Sequence, residues 1–230
     1  MPRPRREESR ADLAGEIKRV AREQMAEHGT AGVSLRGIAR ALEITAPAIY
    51  NYYPRLDDLI TALIVDAFTD LAAALEEASA SAPGGTNRDA IFAATLRYRS
   101  WALERPVEFQ LIYGNPIPGY IAPFEITAPL ARRPFAALGR YFLAAWQSGE
   151  LALPTTMAHI PESIRWHMET WLGLDTPVEP LYAVIAGWTR IHGLVTLELF
   201  HHLQPVIGDT EALYCHEVNA YLDQLGLPSG

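Results

Sequence analysis

One stretch constrains the fold more than any other part of this sequence: residues 34–59, which read SLRGIARALEITAPAIYNYYPRLDDL. Ser34 is a typical N-cap, and apolar residues follow it at helical spacing. Thr45 is a second candidate N-cap. Pro47 lies in the first turn of the helix after it, where a missing N–H costs little. The stretch therefore predicts two short helices joined by a tight turn.

The second helix of this pair is expected to expose small residues at its start and hydroxyl and amide groups further along. A helix tip of this kind can enter a major groove, with hydroxyls reaching phosphates. Tyr50 and Tyr52 are expected to touch phosphates, and Thr45 and Asn51 either bases or phosphates. The complete predicted DNA-binding set is Ser34, Arg36, Thr45, Ala46, Pro47, Ala48, Tyr50, Asn51, Tyr52 and Arg55.

The same segment carries a family resemblance. It resembles the TetR/AcrR family of one-component transcriptional regulators through the pattern IT-x-x-AIY-x-YY at residues 44–53. The resemblance covers roughly Leu13 to Leu59 and implies a dimeric repressor of double-stranded DNA that responds to a small molecule. Glu43 departs from the family by standing where glycine is usual, so a left-handed backbone there would cost ~1 kcal/mol. Arg55 stands where a helix-capping Ser or Asn is usual and is expected to act as a cation toward the DNA backbone, as is Arg36.

A shorter resemblance lies near the carboxyl terminus. Trp188, His192 and Gly193, in the pattern W-x-x-x-HG, are similar to the Trp/His-Gly pattern of one C-terminal domain type found in TetR-like regulators. This resemblance implies an effector-binding and dimerisation domain after the helix-turn-helix.

Charge is distributed unevenly along the 230 residues. The formal net charge is −8, yet residues 1–56 hold ten Arg and Lys against seven acids, a net +3 that leaves −11 for the remainder. A basic amino-terminal part on an acidic body keeps DNA contact at one end. We therefore predict a helix-turn-helix DNA-binding domain at 1–56 and a helical effector-binding and dimerisation domain at 57–230.

Helical periodicity continues along the whole chain, and no strand-like alternation of useful length occurs. The predicted fold is all-α, with a three-helix amino-terminal domain and a helical body. Its first helix is expected at 9–28, its longest apolar helix at 181–203 and its last helix up to Leu225. These last two helices are the predicted homodimer interface, with Val195 within it. The alternative is that the longest helix is wholly interior to a monomer.

Large aromatic side chains are concentrated in the body, where a cavity lined by a few of them would suit an apolar or aromatic small molecule. The alternative for any one of them is that it simply fills the core, and for His192 that it hydrogen-bonds a neighbour. The predicted ligand-binding candidates are Tyr98, Trp101, Phe109, Tyr113, Phe135, Trp146, Trp166, Trp188 and His192.

Signals for catalysis are weak. The sequence lacks a glycine-rich phosphate loop, a nucleophile elbow and a zinc-protease motif. Adjacent His201 and His202 point about 100° apart on a helix, so we expect a surface role for them and for His216 rather than a metal site. We expect no enzyme activity, no cofactor, no metal and no membrane span. The single cysteine, Cys215, suits a cytoplasmic protein. A helical enzyme or ligand carrier that only resembles a DNA reader remains the alternative.

Overall fold

The computed structural model describes the backbone of residues 4–172 and 177–227, and the side chains of residues 12–170 and 177–227. Regular structure in these ranges is helical, which confirms the predicted all-α fold. The helices are α1 (Pro4–His28), α2 (Leu35–Ala41), α3 (Ala46–Tyr50), α4 (Leu56–Ala80), α5 (Asn87–Glu104), α6 (Pro106–Tyr113), α7 (Phe124–Ser148), α8 (Thr155–Ala158), α9 (Glu162–Leu172), α10 (Val178–Leu199), α11 (Gln204–Ile207) and α12 (Thr210–Gln224).

The chain forms two compact units. The first unit comprises Met1–Phe68 and Arg105–Pro129, and the second comprises Thr69–Glu104 and Leu130–Gly230. Helix α4 contributes residues to both, because it runs through Phe68 without interruption. The predicted domain boundary after residue 56 stays a prediction, since compactness alone does not define where a DNA-binding function ends.

The core of the first unit is the one that the helix-turn-helix pattern requires. Ile17 of α1, Ile38 of α2 and Ile49 of α3 are each fully buried, with Leu59 of α4 beside them. Ser34 caps α2 as predicted, since its Oγ accepts a hydrogen bond from the Gly37 N–H at 3.1 Å. Four helices thus bury one shared apolar cluster, and this burial is the main stabilising term for helices as short as α2 and α3.

In the second unit α10 packs closely on α12 and α5. A β-carbon added at Gly187 of α10 would lie 2.8 Å from Cε1 of Tyr221 on α12, so glycine permits the approach of these helices. The Tyr221 hydroxyl donates to the Ala183 carbonyl at 2.6 Å across the same contact. Arg99 of α5 donates to both carboxylate oxygens of Glu198, at 2.8 and 2.7 Å, in a buried ion pair.

Helices α1 and α10 differ in their bounds from the sequence predictions, and α10 begins at Val178 rather than Leu181. Helix α1 begins at Pro4, not at Ser9, because proline is compatible with a first helical turn and the Arg and Glu residues that follow favour helix. Helix α10 ends at Leu199, short of the predicted Leu203, where His201 takes a left-handed φ of 58° and turns the chain. Val195 is fully buried in the second unit, so its predicted place in a dimer interface is wrong.

The turn between α2 and α3 has a left-handed backbone conformation at Glu43, which is unfavourable for a residue other than glycine. Glu43 takes a φ of 54°, a left-handed conformation that suits glycine. The Ile44 N–H donates to the Ala39 carbonyl at 3.0 Å, so the turn closes directly onto α2.

No helix of the described ranges combines the length and apolar character needed to cross a membrane.

Candidate DNA-binding surface and body cavity

The candidate DNA-binding surface is centred on α3. Thr45 is its N-cap residue, although the threonine side chain makes no capping hydrogen bond, and proline lies in the first turn. Ile49 is fully buried and fixes the helix to the core, which turns the opposite face outward. The helix ends at Tyr50, so Asn51 is its C-cap and the reading element is little more than one turn long.

Most of the ten predicted DNA-binding residues are exposed on the first unit, with Tyr50 at 41% exposure. Ala48 and Tyr52 are half-buried. The expectation that Tyr52 is exposed on the second helix is wrong, because it lies beyond the end of α3 and packs against the core of the first unit. The face shared by α3 and the start of α2 is otherwise open to a partner.

Arg55 is engaged within the protein. Its Nη2 donates to Asp58 Oδ1 at 2.9 Å, and its backbone N–H donates to Asp58 Oδ2 at 3.0 Å. The aspartate thus caps α4 from its third residue and pairs with the guanidinium at the same time. The hydrogen bond from Arg55 lowers the pKa of Asp58 below its usual value, so the pair is ionised at neutral pH.

Helix α6 belongs to the first unit, although it lies outside residues 1–56, the predicted amino-terminal domain. Val107 and Leu111 of α6 pack against the apolar cluster that α1, α2 and α3 share. Arg22 of α1 donates through Nε to Glu108 of α6 at 3.0 Å and contacts Asp66 of α4 at 3.2 Å. The apolar spacing of α6 was visible in the sequence, but its partner was not, because these contacts join distant parts of the chain.

Four of the predicted ligand-binding residues meet in the second unit. The Tyr98 hydroxyl and His192 Nδ1 are hydrogen-bonded at 2.7 Å, and the rings of Trp188 and His192 lie 4.9 Å apart. Phe135 meets Trp188 edge to face at 5.2 Å. Burial lowers the pKa of His192 below its usual value, so this histidine is neutral at physiological pH.

The other five candidates are divided between the two units. Trp101 is fully buried and donates through Nε1 to Asp70 at 2.7 Å, and Trp146 is half-buried. Trp166 is 57% exposed on α9, beside His167. Phe109 and Tyr113 lie on α6, in the first unit, with their rings 5.5 Å apart. Trp101, Trp146 and Trp166 belong to the second unit.

A small cavity lies where α5, α7, α10 and α12 meet in the second unit. The volume of the cavity is about 20 Å³, which is enough for about one water molecule. Trp188 is the one predicted ligand residue in its wall. The lining consists of Ile91, Thr95, Leu138, Phe142, Val184, Gly187, Trp188, Ile191, Val218, Tyr221 and Leu222. The Thr95 and Tyr221 hydroxyls both donate to backbone carbonyls, so they present no free donor proton to the cavity.

A helix-turn-helix that exposes its second helix, on a chain whose larger unit is a helical assembly, defines a one-component DNA-binding regulator. Comparison with known families agrees. The model of bacterial regulatory proteins of the tetR family matches residues 17–63, and that of the tetracyclin repressor-like C-terminal domain matches residues 91–221. The chain belongs to the TetR family of transcriptional regulators.

Individual relatives have names that describe regulatory proteins. The chain is 33% identical over 201 residues to the HTH-type transcriptional regulator Rv1816 of Mycobacterium tuberculosis, covering 85% of this chain and 84% of the relative. It matches the crystal structure of the regulatory protein SCO4313 with a TM-score of 0.78 and 31% identity, over 97% of this chain and all of that one. A tetR-family regulatory protein from Rhodococcus RHA1 shares the fold, with a TM-score of 0.65 over 94% of this chain and 98% of that one, at 17% identity.

Proposed function

We propose that the protein is a repressor that binds a pseudo-palindromic operator as a homodimer and is released by a small apolar effector. The observation that carries the DNA-binding part is the exposed face of α3, held outward by the buried Ile49. Within the described part of the chain, no three His, Cys, Asp or Glu side chains form a group that could hold a metal ion. We propose a regulatory rather than an enzymatic role.

The proposed DNA contacts follow from chemistry and exposure. Thr45 and Asn51 are proposed to meet base edges or phosphates, and Tyr50 a phosphate. The small residues Ala46 and Pro47 let the backbone approach the groove wall, with Ala48 beside them. The hydroxyl of Ser34 already caps α2, so its proposed contact with a phosphate uses a group that the protein itself has oriented. Arg36 and Tyr52 complete the proposed set, while Arg55, the last of the predicted residues, is held by Asp58.

The direct test is a gel shift with duplex DNA from the region upstream of the protein's own gene, against a scrambled duplex of equal length. Retardation of the upstream duplex at concentrations that leave the scrambled duplex free supports the proposal. Footprinting is expected to show two protected half-sites about one helical turn apart, roughly 34–36 Å. Equal affinity for both duplexes, without a protected pseudo-palindrome, would contradict the repressor.

The proposed dimer uses the outer faces of α10 and α12. Thr189 and Leu197 of α10 and its C-cap residue Phe200 are exposed. Leu197 and Phe200 are large apolar side chains whose burial against a partner is favourable. Among the described residues, no atom beyond the local helix lies within 4 Å of the position that a Gly193 β-carbon would take, so this site leaves space for a second copy. Two antiparallel helix pairs meeting about a two-fold axis form a four-helix interface of common type.

The proposed effector site is the cavity lined by α5, α7, α10 and α12. Its wall is apolar, which suits an uncharged apolar or aromatic molecule. Its present volume holds about one water molecule, so an effector binds only a conformation with a wider cavity. Such a ligand has differential affinity for two conformations, which is the requirement for a population shift.

The effector is proposed to act on DNA through α4, which has residues in both units. A change in the tilt of α4 would alter the separation of the two recognition helices in a dimer, and a mismatch of a few ångströms disengages the second half-site. Thermal stabilisation identifies ligands of the folded protein in a small-molecule library. Operator affinity is then measured with and without such a ligand; unchanged affinity would eliminate the coupling but not DNA binding.

A further inference from the structure

The six Lys and Arg side chains that the structure describes between residues 12 and 68 divide into two groups, and those of the first group are paired with carboxylates. Lys18 approaches Asp66 at 2.8 Å, while Arg22 lies between Asp66 at 3.2 Å and Glu108 at 3.0 Å. These side chains join α1 to α4 and α6. Carboxylates of the protein neutralise their positive charge, so these side chains attract a polyanion such as DNA only weakly.

Two further arginines on this unit also have carboxylate partners. Arg19 donates to Glu16 at 2.8 Å and is also paired with Glu23, while Arg55 pairs with Asp58 at 2.9 Å. Both arginines are exposed, but each would have to exchange a carboxylate for a phosphate in order to contact DNA. The net gain in attraction from such an exchange is small.

Arg36 and Arg40 form the second group. Both are exposed, and neither has a carboxylate within 4.0 Å among the residues that the structure describes. They are four residues apart on α2, on one flank of the helix, with Leu35, Ile38 and Ala39 buried on the other. The flank therefore presents two uncompensated positive charges one turn apart.

The recognition helix itself contributes no charge, because α3 reads APAIY. Affinity for duplex DNA that is independent of sequence comes mainly from neutralised phosphates and counterion release. If the protein binds DNA, that part of the affinity has to be supplied beside α3 and not by it. The α2 flank adjoins α3 through the turn at Glu43 and meets this requirement.

We propose that Arg36 and Arg40 act together as a phosphate-binding pair on α2, and that Arg55 contributes little because Asp58 holds it. Arg40 is absent from the DNA-binding set that the sequence predicted. The pair rests on the proposed DNA-binding function and specifies which residues supply its electrostatic part. It reads no base, so it acts alike on operator and non-operator duplexes.

The experiment measures the dissociation constant of the full-length protein for a fluorescein-labelled duplex of scrambled sequence over a series of NaCl concentrations. Four variants each remove one positive charge and keep a polar side chain: Arg36→Gln, Arg40→Gln, Arg55→Gln and Arg19→Gln. Arg19→Gln is the matched control, because it changes the net charge equally from an exposed, paired position on α1. Circular dichroism verifies that all four fold, as expected for exposed side chains.

The logarithm of the association constant falls linearly with the logarithm of the salt concentration, and each lost phosphate contact makes this slope less steep by about 0.9 per bound protomer. Arg36→Gln and Arg40→Gln are expected to show this decrease, while Arg55→Gln and Arg19→Gln keep the wild-type slope. A wild-type slope for Arg40→Gln, or a decrease for Arg55→Gln as large as that for Arg40→Gln, overturns the pair. A wild-type protein that binds no duplex at any salt concentration overturns the proposed function itself, and the pair with it.

Discussion

At the scale of single residues, the clearest case of strain is Glu43. Its φ of 54° lies in the left-handed region, which a side chain with a β-carbon adopts at a cost of about 1–2 kcal/mol. The family resemblance implied this strain, because Glu43 stands where glycine is usual. Glycine relieves it, although glycine also gives the unfolded chain more freedom.

Glu43→Gly is therefore expected to stabilise the protein by about 0.5–1 kcal/mol, measured as the free energy of unfolding in urea. Glu43→Gln serves as the control, because it removes the charge but keeps the β-carbon. Equal stabilisation by both variants would mean that charge, and not backbone conformation, is responsible.

The residues at the tip and end of α3 separate two kinds of DNA contact. Tyr50→Phe removes only a hydroxyl proposed to meet a phosphate, so it is expected to weaken all sequences alike. Asn51→Ala, if Asn51 reads a base, is expected to cost about 1–3 kcal/mol on the operator and relax specificity there. Affinities for the operator and for single-base variants of it distinguish the two patterns. Uniform weakening by Asn51→Ala would assign that residue to a phosphate.

Gly187 is the residue on which the contact between α10 and α12 depends. Gly187→Ala places a β-carbon 2.8 Å from the Tyr221 ring and is expected to destabilise the protein by about 1–3 kcal/mol. Gly139→Ala on α7 is the control, since no atom lies within 4 Å of its new β-carbon. The control is expected to gain up to about 1 kcal/mol from helix propensity. Urea unfolding of the two variants decides; equal stabilisation by both would show that the Tyr221 ring moves aside freely.

At the scale of elements, caps and prolines made most helix boundaries predictable. Asp209 caps α12 by accepting from the Ala212 N–H at 2.9 Å, and α6 begins at Pro106, which is compatible with a first helical turn. The early end of α10 could not be predicted, because it depends on tertiary contacts of Glu198. The Glu198 carboxylate accepts from Arg99 on α5, and the Glu198 backbone carbonyl accepts from the Gln204 side chain at 2.9 Å.

Glu198 supplies the element-scale prediction. Removing Glu198 leaves the buried Arg99 guanidinium with only an exposed carboxylate partner, so Glu198→Gln is expected to cost about 3 kcal/mol at neutral pH. Glu211→Gln is the control, because Glu211 meets the same Arg99 at 3.0 Å but is exposed, and its loss is expected to cost less than about 1 kcal/mol.

The pH dependence of this pair has a definite sign. Burial raises the pKa of Glu198, but hydrogen bonds from Arg99 and Thr210 outweigh burial and bring the net pKa below the ordinary value. A carboxylate with a lowered pKa in the folded state stabilises the protein above its unfolded pKa and loses that contribution as the pH falls through the folded pKa. The stability difference between wild type and Glu198→Gln is therefore expected to shrink on acidification, as measured by urea unfolding. A difference that grows with acid would contradict the assignment.

At the scale of the whole molecule, the sequence predicted an all-helical regulator because capping, packing and exposure agree in one short segment. It could not predict the cluster of Tyr98, His192 and Trp188, or the attachment of α6, because periodicity shows which face of a helix is apolar and not what covers it. The same reasoning misplaced Val195, since α10 is apolar on faces that pack inside the protomer as well as on its outer face.

The dimer is the prediction that belongs to this scale. Leu197→Glu is expected to weaken association, because Leu197 is 43% exposed on the proposed interface and its replacement puts a charge there. Sedimentation velocity at micromolar concentration measures the change, and circular dichroism verifies that the variant folds. Val195→Glu, by contrast, is expected to unfold the protomer, since it buries an unpaired charge. Wild-type monomers in the same experiment would rule out the interface.

The place of α6 in the first unit bears on how regulators of this kind can be recombined. Val107 and Leu111 cover part of the apolar cluster beneath the helix-turn-helix, although they follow it by a long stretch of chain. A fragment cut after α4 would leave that patch bare, and a chimera that grafts this reader onto a foreign sensor would need a compatible α6. The unit of exchange for synthetic biosensors is therefore discontinuous, and swapping residues 1–68 alone transplants an incomplete module.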